Sequence, residues 1–290
     1  MLGLGNSITS NSGAAPFSPG ELDKLVTWYD FTDKSTMYTD AGSTNVASDD
    51  DKIFRIRNKA YFISGNAAIG QFVQEATESQ RPTYDADANG AHFNASASQR
   101  LLSSKIIGEV TTNTLSSTTL NGGAMTIFFV AKSTASGVTN DLHLFHLSGD
   151  SASDRMTIYI DDNSTTDRWQ WHSQNDTLRD NIYLNCGQNI TTNKELWTAN
   201  INVADPNFYR NGDSTDGGTT VTGDESTLDN NLNIDLSANS TAVHFTIGSG
   251  AHTGANYFNG HIMEIIIYSQ VQTRGDRKKV EDYLKSKHGI

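Results

Sequence analysis

Residues 257–268 read Y-F-N-G-H-I-M-E-I-I-I-Y, and this stretch decides the fold. In a β-strand that begins at Ile262, successive side chains point to opposite faces of the sheet. Both faces would be largely apolar, which predicts a central strand that is covered on both sides. The residues expected on one face are Met263, Ile265 and Ile267, and those expected on the other are Ile262, Glu264, Ile266 and Tyr268.

The next predicted element is a helix that begins after Thr273 and stops at Gly289. Thr273 is a suitable N-cap, Asp276 adds a favourable negative charge to the first turn, and Gly289 suits the C-terminal stop. A buried strand that leads into one terminal helix is typical of the closing element of a β-sandwich. Residues expected to pack on the domain are Val280, Tyr283 and Leu284, and those expected to face water are Arg277, Lys278, Lys279 and Lys285.

The same segment carries a resemblance to a known family. Gly260, Ile262, Glu264 and Tyr268, followed by V-x-x-Y-L-x-x-K-x-G over residues 280–289, resemble the C-terminus of LamG-like members of the concanavalin A-like lectin/glucanase superfamily. The version with a terminal Y-L-x-x-K-x-G-I helix is similar to proteins common in bacteriophages and on bacterial surfaces. The resemblance implies an all-β jelly-roll sandwich with a short C-terminal helix.

The remainder of the chain predicts many further strands. Residues 126–132 (T-I-F-F-V-A-K) are almost continuously apolar, which indicates a second central strand. Asn211-Gly212 is a tight-turn signal. We predict one domain over residues 21–290, preceded by an extended N-terminal arm over residues 1–20. Other strands are expected at residues 28–31, 141–147, 155–160, 168–172, 181–186 and 196–203.

Charge and composition exclude several classes of partner. The formal net charge of −12 argues against binding to nucleic acid or to an anionic membrane surface. No apolar run reaches the length of a membrane span, so we expect no membrane insertion. The single cysteine, Cys186, excludes an intrachain disulfide.

The N-terminal residues suggest where the protein works. M-L-G-L-G-N-S lacks the basic and apolar regions of a Sec signal peptide and resembles the openings of some phage structural proteins. We therefore predict a bacteriophage virion structural protein, assembled in the host cytoplasm and released by lysis, as a capsid decoration, fibre or tail-associated module. The arm is expected to contact other virion subunits in a homo-oligomer. Its apolar residues, which would make these contacts, are Leu2, Leu4, Ile8 and Phe17.

Two alternatives stay open, a carbohydrate-binding lectin module of a bacterial surface or secreted system and a polysaccharide-cleaving enzyme. Glycanases of the resembled fold use paired carboxylates on one strand, in an E-x-D-x-x-E type of arrangement. Glu264 instead stands alone between Ile262 and Ile266, where it is expected to accept hydrogen bonds rather than to catalyse. We expect no enzymatic activity, no catalytic residue and no cofactor.

Calcium is the ion that the sequence fits best. Asp161, Asp162 and Asp167 share one loop between two predicted strands, and carboxylate oxygens are the ligands that calcium prefers. The alternative is that this acidic loop is simply solvated. His143 and His146 are three residues apart in a predicted strand, so they are expected on opposite faces and unable to bind one metal together.

Trp169 and Trp171 are two residues apart in a predicted strand, so both indoles share a face. They would either stack on sugars, such as host-surface glycans, or fill the core between the sheets. We favour the core. Arg274-Gly275-Asp276 spells an integrin-binding tripeptide, which we attribute to chance.

Overall fold

The structure is a computed structural model of the 290-residue chain. The residues that it describes form two antiparallel sheets packed face to face, with a C-terminal helix on the outer side of one sheet. The predicted all-β sandwich with a short C-terminal helix is therefore confirmed. The described ranges are 16–42, 44–64, 71–103, 125–134, 141–148, 155–161, 167–175, 180–186, 189–201, 207–213, 220–223, 244–250 and 256–290.

Seventeen strands and two α-helices are assigned within these ranges. The strands are β1 (Leu25–Asp30), β2 (Met37–Tyr38), β3 (Arg55–Arg57), β4 (Phe72–Gln74), β5 (Thr83–Asp85), β6 (Gly90–Phe93), β7 (Leu101–Ser103), β8 (Met125–Ser133), β9 (Leu142–Ser148), β10 (Arg155–Asp161), β11 (Arg168–Asn175), β12 (Asp180–Asn185), β13 (Glu195–Ile201), β14 (Asn207–Arg210), β15 (Thr220–Gly223), β16 (His244–Ile247) and β17 (Gly260–Tyr268). The helices are α1 (Lys59–Ser64) and α2 (Arg274–His288).

The strands divide between two sheets. Sheet A has the order β14-β13-β8-β17-β6-β5, with β1 also paired to β17. Sheet B has the order β15-β12-β11-β10-β9-β16-β7-β4-β3-β2. Within the described ranges, neighbouring strands of both sheets run antiparallel. Strands of the two sheets alternate along the chain, so the chain crosses repeatedly between the sheets rather than building one and then the other.

Strand β17 lies at the centre of sheet A. One of its edges pairs with β8, and the other pairs with β6 near Gly260 and with β1 near Ile266. All nine of its residues are buried, as predicted for a strand covered on both sides. Strand β8 is the second central strand, because it lies between β17 and β13.

A bulge between Ile262 and Glu264 makes the predicted division of β17 into two faces partly wrong. The extra residue shifts the alternation by one position, because two residues of β17 then oppose one residue of β8. The inter-sheet core receives Ile262, Ile265 and Ile267, and the outer face receives Met263, Ile266 and Tyr268.

Aromatic rings of both sheets meet in the core. The ring of Phe129 on β8 contacts that of Trp169 on β11, with 4.7 Å between the centroids. The ring of Trp169 also stacks on that of Phe258, with 6.2 Å between the centroids. These contacts join the sheets into one apolar cluster, which is the main source of hydrophobic stabilisation.

Helix α2 covers the outer face of sheet A. The hydroxyl of Thr273 accepts a hydrogen bond from the Asp276 amide at 3.1 Å, and Gly289 ends the helix with φ of 66°, so both predicted ends are confirmed. Val280 and Leu284 are fully buried against the sheet. Arg277 was expected to face water but is buried, because its side chain lies over the ring of Tyr209 on β14.

The turn after β14 and helix α1 are two further local features of the fold. Asn211 and Gly212 have φ angles of 51° and 83°, which confirms the predicted tight turn after β14. Helix α1 was not predicted. No helix within the described ranges is long and apolar enough to span a membrane.

We expect Leu284→Ala to lower the free energy of unfolding by about 2–5 kcal/mol, because it leaves a cavity between α2 and sheet A. The control is Lys278→Ala on the exposed side of the same helix, which should change stability by less than about 0.5 kcal/mol. Chemical denaturation of both variants measures the difference. Equal stability of the two variants would show that α2 does not belong to the folded core.

Candidate functional site

Glu264 is fully buried on the outer face of sheet A, and four side chains contact its carboxylate. The indole Nε1 of Trp28 donates to it at 2.6 Å, and the Tyr283 hydroxyl donates at 3.3 Å. Lys287 Nζ lies 2.7 Å and His288 Nε2 2.8 Å from Oε2. A carboxylate occupied in this way is satisfied, so the predicted role of Glu264 as a hydrogen-bond acceptor is confirmed.

Asp30 joins the same network from the end of β1. Its carboxylate lies 2.6 Å from Lys287 Nζ and 3.0 Å from Lys59 Nζ on α1. Burial alone would raise the pKa of Asp30, but the charges of Lys287 and Lys59 outweigh it and lower the pKa from 3.8 to about 2. Burial raises the pKa of Tyr283, and the nearby charge of Glu264 raises it further, so the phenol stays protonated and donates.

The network joins β1, β17, α1 and α2. Each of these polar side chains has a partner within the network. Such an arrangement fixes the position of the helix rather than presenting a free acid to a substrate. We therefore assign Glu264 and Asp30 to the stabilisation of the fold.

The lowered pKa of Asp30 has a consequence for acid stability. Because the folded state holds this carboxyl ionised below its unfolded pKa, Asp30 stabilises the protein above about pH 4, and this stabilisation is lost as the pH falls towards 2. A pKa difference of this size corresponds to about 2 kcal/mol.

We expect the stability gap between wild type and Asp30→Asn to shrink by about 2 kcal/mol between pH 5 and pH 2, as measured by urea denaturation at each pH. Asp23→Asn, at an exposed position in the preceding turn, is the matched control and should show no such change. A gap for Asp30→Asn that stays constant with pH would contradict the assignment.

Trp169 and Trp171, the predicted sugar-stacking pair, are both in the inter-sheet core. Their side chains are 2% and 1% exposed, so neither ring has a face open to a ligand. The structure thus corresponds to the core alternative, which follows from the alternation of β11.

The outer side of sheet B carries a row of polar and aromatic side chains. His143 Nδ1 lies 2.8 Å from the Thr157 hydroxyl, and the His143 ring stacks on Tyr159 at 4.8 Å. Thr157 in turn donates to the Phe145 carbonyl at 2.7 Å. His143, Thr157 and Tyr159 are all buried, and the hydrogen bond between His143 and Thr157 joins β9 to β10.

His143 and His146 were expected on opposite faces of their strand, and this prediction is wrong. A register shift in β9 lets both side chains leave the core on the same side, with 6.1 Å between their ring centroids. The neighbours that enter the core are Leu142, Leu144, Phe145 and Leu147. The bulge could not be read from the spacing of the histidines.

The predicted calcium ligands are only partly described. Asp161 and Asp167 lie at the ends of β10 and β11, and Asp162 lies outside the described residues. Among the described residues there is no group of three or more His, Cys, Asp or Glu side chains that could hold a metal. The calcium site therefore stays a prediction.

Of the four apolar residues predicted to anchor the N-terminal arm, only Phe17 lies within the described residues. Leu2, Leu4 and Ile8 lie outside the described residues. Phe17 is half-buried against this chain's own helix α2, where its ring meets that of Tyr283 edge-on at 6.5 Å. The Tyr268 hydroxyl also donates to the Pro19 carbonyl at 2.8 Å. Phe17 therefore packs on its own sandwich, in contrast to the predicted contact with another subunit.

A polar cleft lies between β14 and the first turn of α2, with a volume of about 700 Å³. Its position follows from the fold, because the first turn of α2 lies beside β14, the edge strand of sheet A. Sequence reasoning did not find this cleft. Described residues that line it are Asn200, Asn207, Tyr209, Asn211, Gly212, Asp213, Gln272, Arg274 and Arg277.

One wall of the cleft is a fixed aromatic ring. The guanidinium of Arg277 lies 3.6 Å from the centroid of Tyr209, and the Glu281 carboxylate holds Arg277 at 2.5 Å. Glu281 also accepts a hydrogen bond from Thr198 on β13 at 3.1 Å. Burial raises the pKa of Glu281, although Arg277 and Thr198 counteract it. The ring is thus held in place from the helix side while part of it stays exposed in the cleft.

Side-chain amides form another part of the described lining. The Thr126 hydroxyl accepts from the Gln272 backbone amide at 2.9 Å and donates to Asn200 Oδ1 at 3.1 Å. Asn211 Oδ1 accepts from the Leu196 amide at 3.0 Å, which leaves its amino group free to act as a donor. Fixed amides beside a fixed ring can bind a small polar ligand by hydrogen bonds and by stacking.

No protein-family model and no curated protein matches the chain. Among solved structures, it is similar to the Ruminococcus gnavus IT-sialidase CBM40 bound to α2,3-sialyllactose, with 14% identity over 59% of this chain and 89% of that one, and a TM-score of 0.41. It is also similar to domain 4 of an extracellular arabinanase from Geobacillus stearothermophilus in complex with arabinotriose, with 12% identity over 89% of this chain and 97% of that one, and a TM-score of 0.44. At these values the likeness identifies neither a family nor a ligand.

Proposed function

We propose that this β-sandwich is a carbohydrate-binding domain and that the sugar lies in the cleft between β14 and α2. The observation that carries the proposal is the lining of the cleft, in which an immobilised tyrosine, side-chain amides and arginines face one polar cavity of about 700 Å³. A cavity of this volume is in the usual range of ligand sites and fits a short oligosaccharide.

The lining suits the chemistry of a sugar. The hydroxyls of a sugar both donate and accept hydrogen bonds, and each amide side chain of the lining offers both functions in one group. The less polar face of a sugar ring packs on an aromatic ring, and Tyr209 supplies one. Because Tyr209 is held by Arg277, little side-chain entropy is lost when the ligand binds.

We further propose that the domain binds sugars without cleaving them. Glycoside hydrolysis needs two carboxyl groups on either side of the scissile bond. Asp213 is the carboxylate in the described lining of the cleft, and Glu264 is fully enclosed by its own hydrogen-bond partners. A pair of suitably spaced acids is not found among these residues.

The virion role that the sequence predicts stays a prediction. It is compatible with a sugar-binding cleft, because a module that contacts a host cell would meet surface glycans. The location of the protein, its contacts with other virion subunits and a homo-oligomer belong to the same prediction.

We expect Tyr209→Ala to weaken binding to the glycans that the wild type captures on an array by at least tenfold, because it removes the stacking surface. Tyr61→Ala, in surface helix α1, is the control and should bind as the wild type does. Thermal melting of both variants checks that they fold. A folded Tyr209→Ala protein with unchanged affinity would place the ligand elsewhere.

Prolonged incubation of the protein with a captured oligosaccharide should leave its length unchanged when the products are separated by chromatography. Shorter products that disappear with Asp213→Asn would overturn the proposal that the domain only binds.

A further inference from the structure

We propose that the cleft recognises a glycan through a sugar carboxylate, which binds at the end of the cleft formed by Gln272 and Arg274. The inference rests on the proposed function, since it names the class of sugar for the same cleft. It is drawn from the hydrogen-bond donors and the charges that meet at this end.

Arg274 is the first residue of α2 and is exposed at the cleft. Each of the other cationic side chains of α2 has a carboxylate partner within the described part of the chain, and Arg274 has none there. A cation at this position is repelled by the positive end of the helix dipole, so Arg274 does not serve the stability of the helix. The paired side chains are Arg277, Lys278, Lys279, Lys285, Lys287 and His288.

Gln272 provides a second and independent observation. Its side chain is only 3% exposed, it lines the cleft, and its Nε2 has no hydrogen-bond partner among the described residues. A buried amide donor without an acceptor is unfavourable until a ligand supplies one. Its backbone amide is already bound to Thr126, so the side-chain nitrogen is the group left for a ligand.

The first turn of α2 adds further donors at the same place. The first N–H groups of a helix have no partner within the helix. Of these groups in α2, the N–H of Asp276 donates a hydrogen bond to the Thr273 hydroxyl. A planar guanidinium, a side-chain amide and a helix N-terminus together match an anion that accepts several hydrogen bonds, as a carboxylate does.

The other end of the cleft has the opposite character. Asp213 lies beyond β14, a strand of four residues that separates the two ends by about 10 Å. The negative charge of Asp213 would repel a second anionic group. The net charge of −12 likewise disfavours a densely charged polymer. The ligand that fits both ends is therefore a glycan with one terminal or isolated acidic sugar.

The test uses uronic-acid-terminated oligosaccharides, the same oligosaccharides after reduction of the carboxyl group to an alcohol, and sulfated analogues, in titration calorimetry with the full chain. We expect at least tenfold tighter binding of the carboxylated form than of the reduced form. Arg274→Gln should abolish this preference without lowering the melting temperature, since it removes a cation from the first turn. Lys278→Gln, one turn further along and outside the cleft, should leave the preference unchanged.

Three results would each overturn the inference. They are equal affinity for the carboxylated and reduced forms, equal affinity for the carboxylated and sulfated forms, and a preference for the carboxylated form that persists in Arg274→Gln. If the reduced oligosaccharides bind as tightly as the carboxylated ones and Tyr209→Ala lowers their affinity, the proposed carbohydrate binding stands and only the preference for an acidic sugar is rejected. If neither the carboxylated nor the reduced form binds, the proposed function and this inference both fail.

Discussion

The carboxylate of Glu264 is removed from water at the centre of sheet A and depends on partners from two other segments of the chain. Trp28 comes from β1, and Tyr283, Lys287 and His288 come from α2. Removal of one partner from such a cluster is costly, because it leaves a buried charge without compensation. The outer layer of sheet A therefore holds together as a unit. Val280 and Leu284 bury apolar surface between the helix and the sheet, and the charged groups fix the position of the helix.

The same constraint reaches the cleft. Once the C-terminal part of α2 is fixed at Glu264, the rigid helix sets where its first turn lies, and Arg277 meets Tyr209 at the edge of the sheet. Gln272 is tied to β8 through Thr126, so the turn before the helix is held as well. The candidate site is thus built on a strand edge and a helix end whose positions are determined by packing elsewhere, and this favours a preformed cavity.

The sequence was informative where a local pattern decides the structure. The apolar run of β17, the cap at Thr273, the stop at Gly289 and the Asn211-Gly212 turn each depend on a few adjacent residues, and the structure agrees with them. The bulges of β9 and β17 could not be predicted, because the register of a strand is set by its partner across the sheet.

The candidate cleft was missed for a related reason. Its described lining comes from residue 200 and from residues 207–213 and 272–277, which are distant in the chain, and neither part has a motif that points to a ligand. Arg274 was noticed only as part of a chance tripeptide. Arg277 was assigned to solvent from its helical position, because nothing in the helix itself indicates that β14 lies beside it. A site assembled from ordinary polar residues becomes visible only when the sheet edge and the helix end are placed together.

The pairing of β1 with β17 also constrains how the protein is made. Thr27 pairs with Ile267, so the first strand of sheet A leaves the ribosome long before its partner has been translated. During that interval β1, β6 and β8 lack the strand that lies between them, and their apolar faces and free edges are open to other chains. Sheet A must therefore close late, after slow pairing between distant segments, and the nascent chain needs protection from aggregation for most of its synthesis.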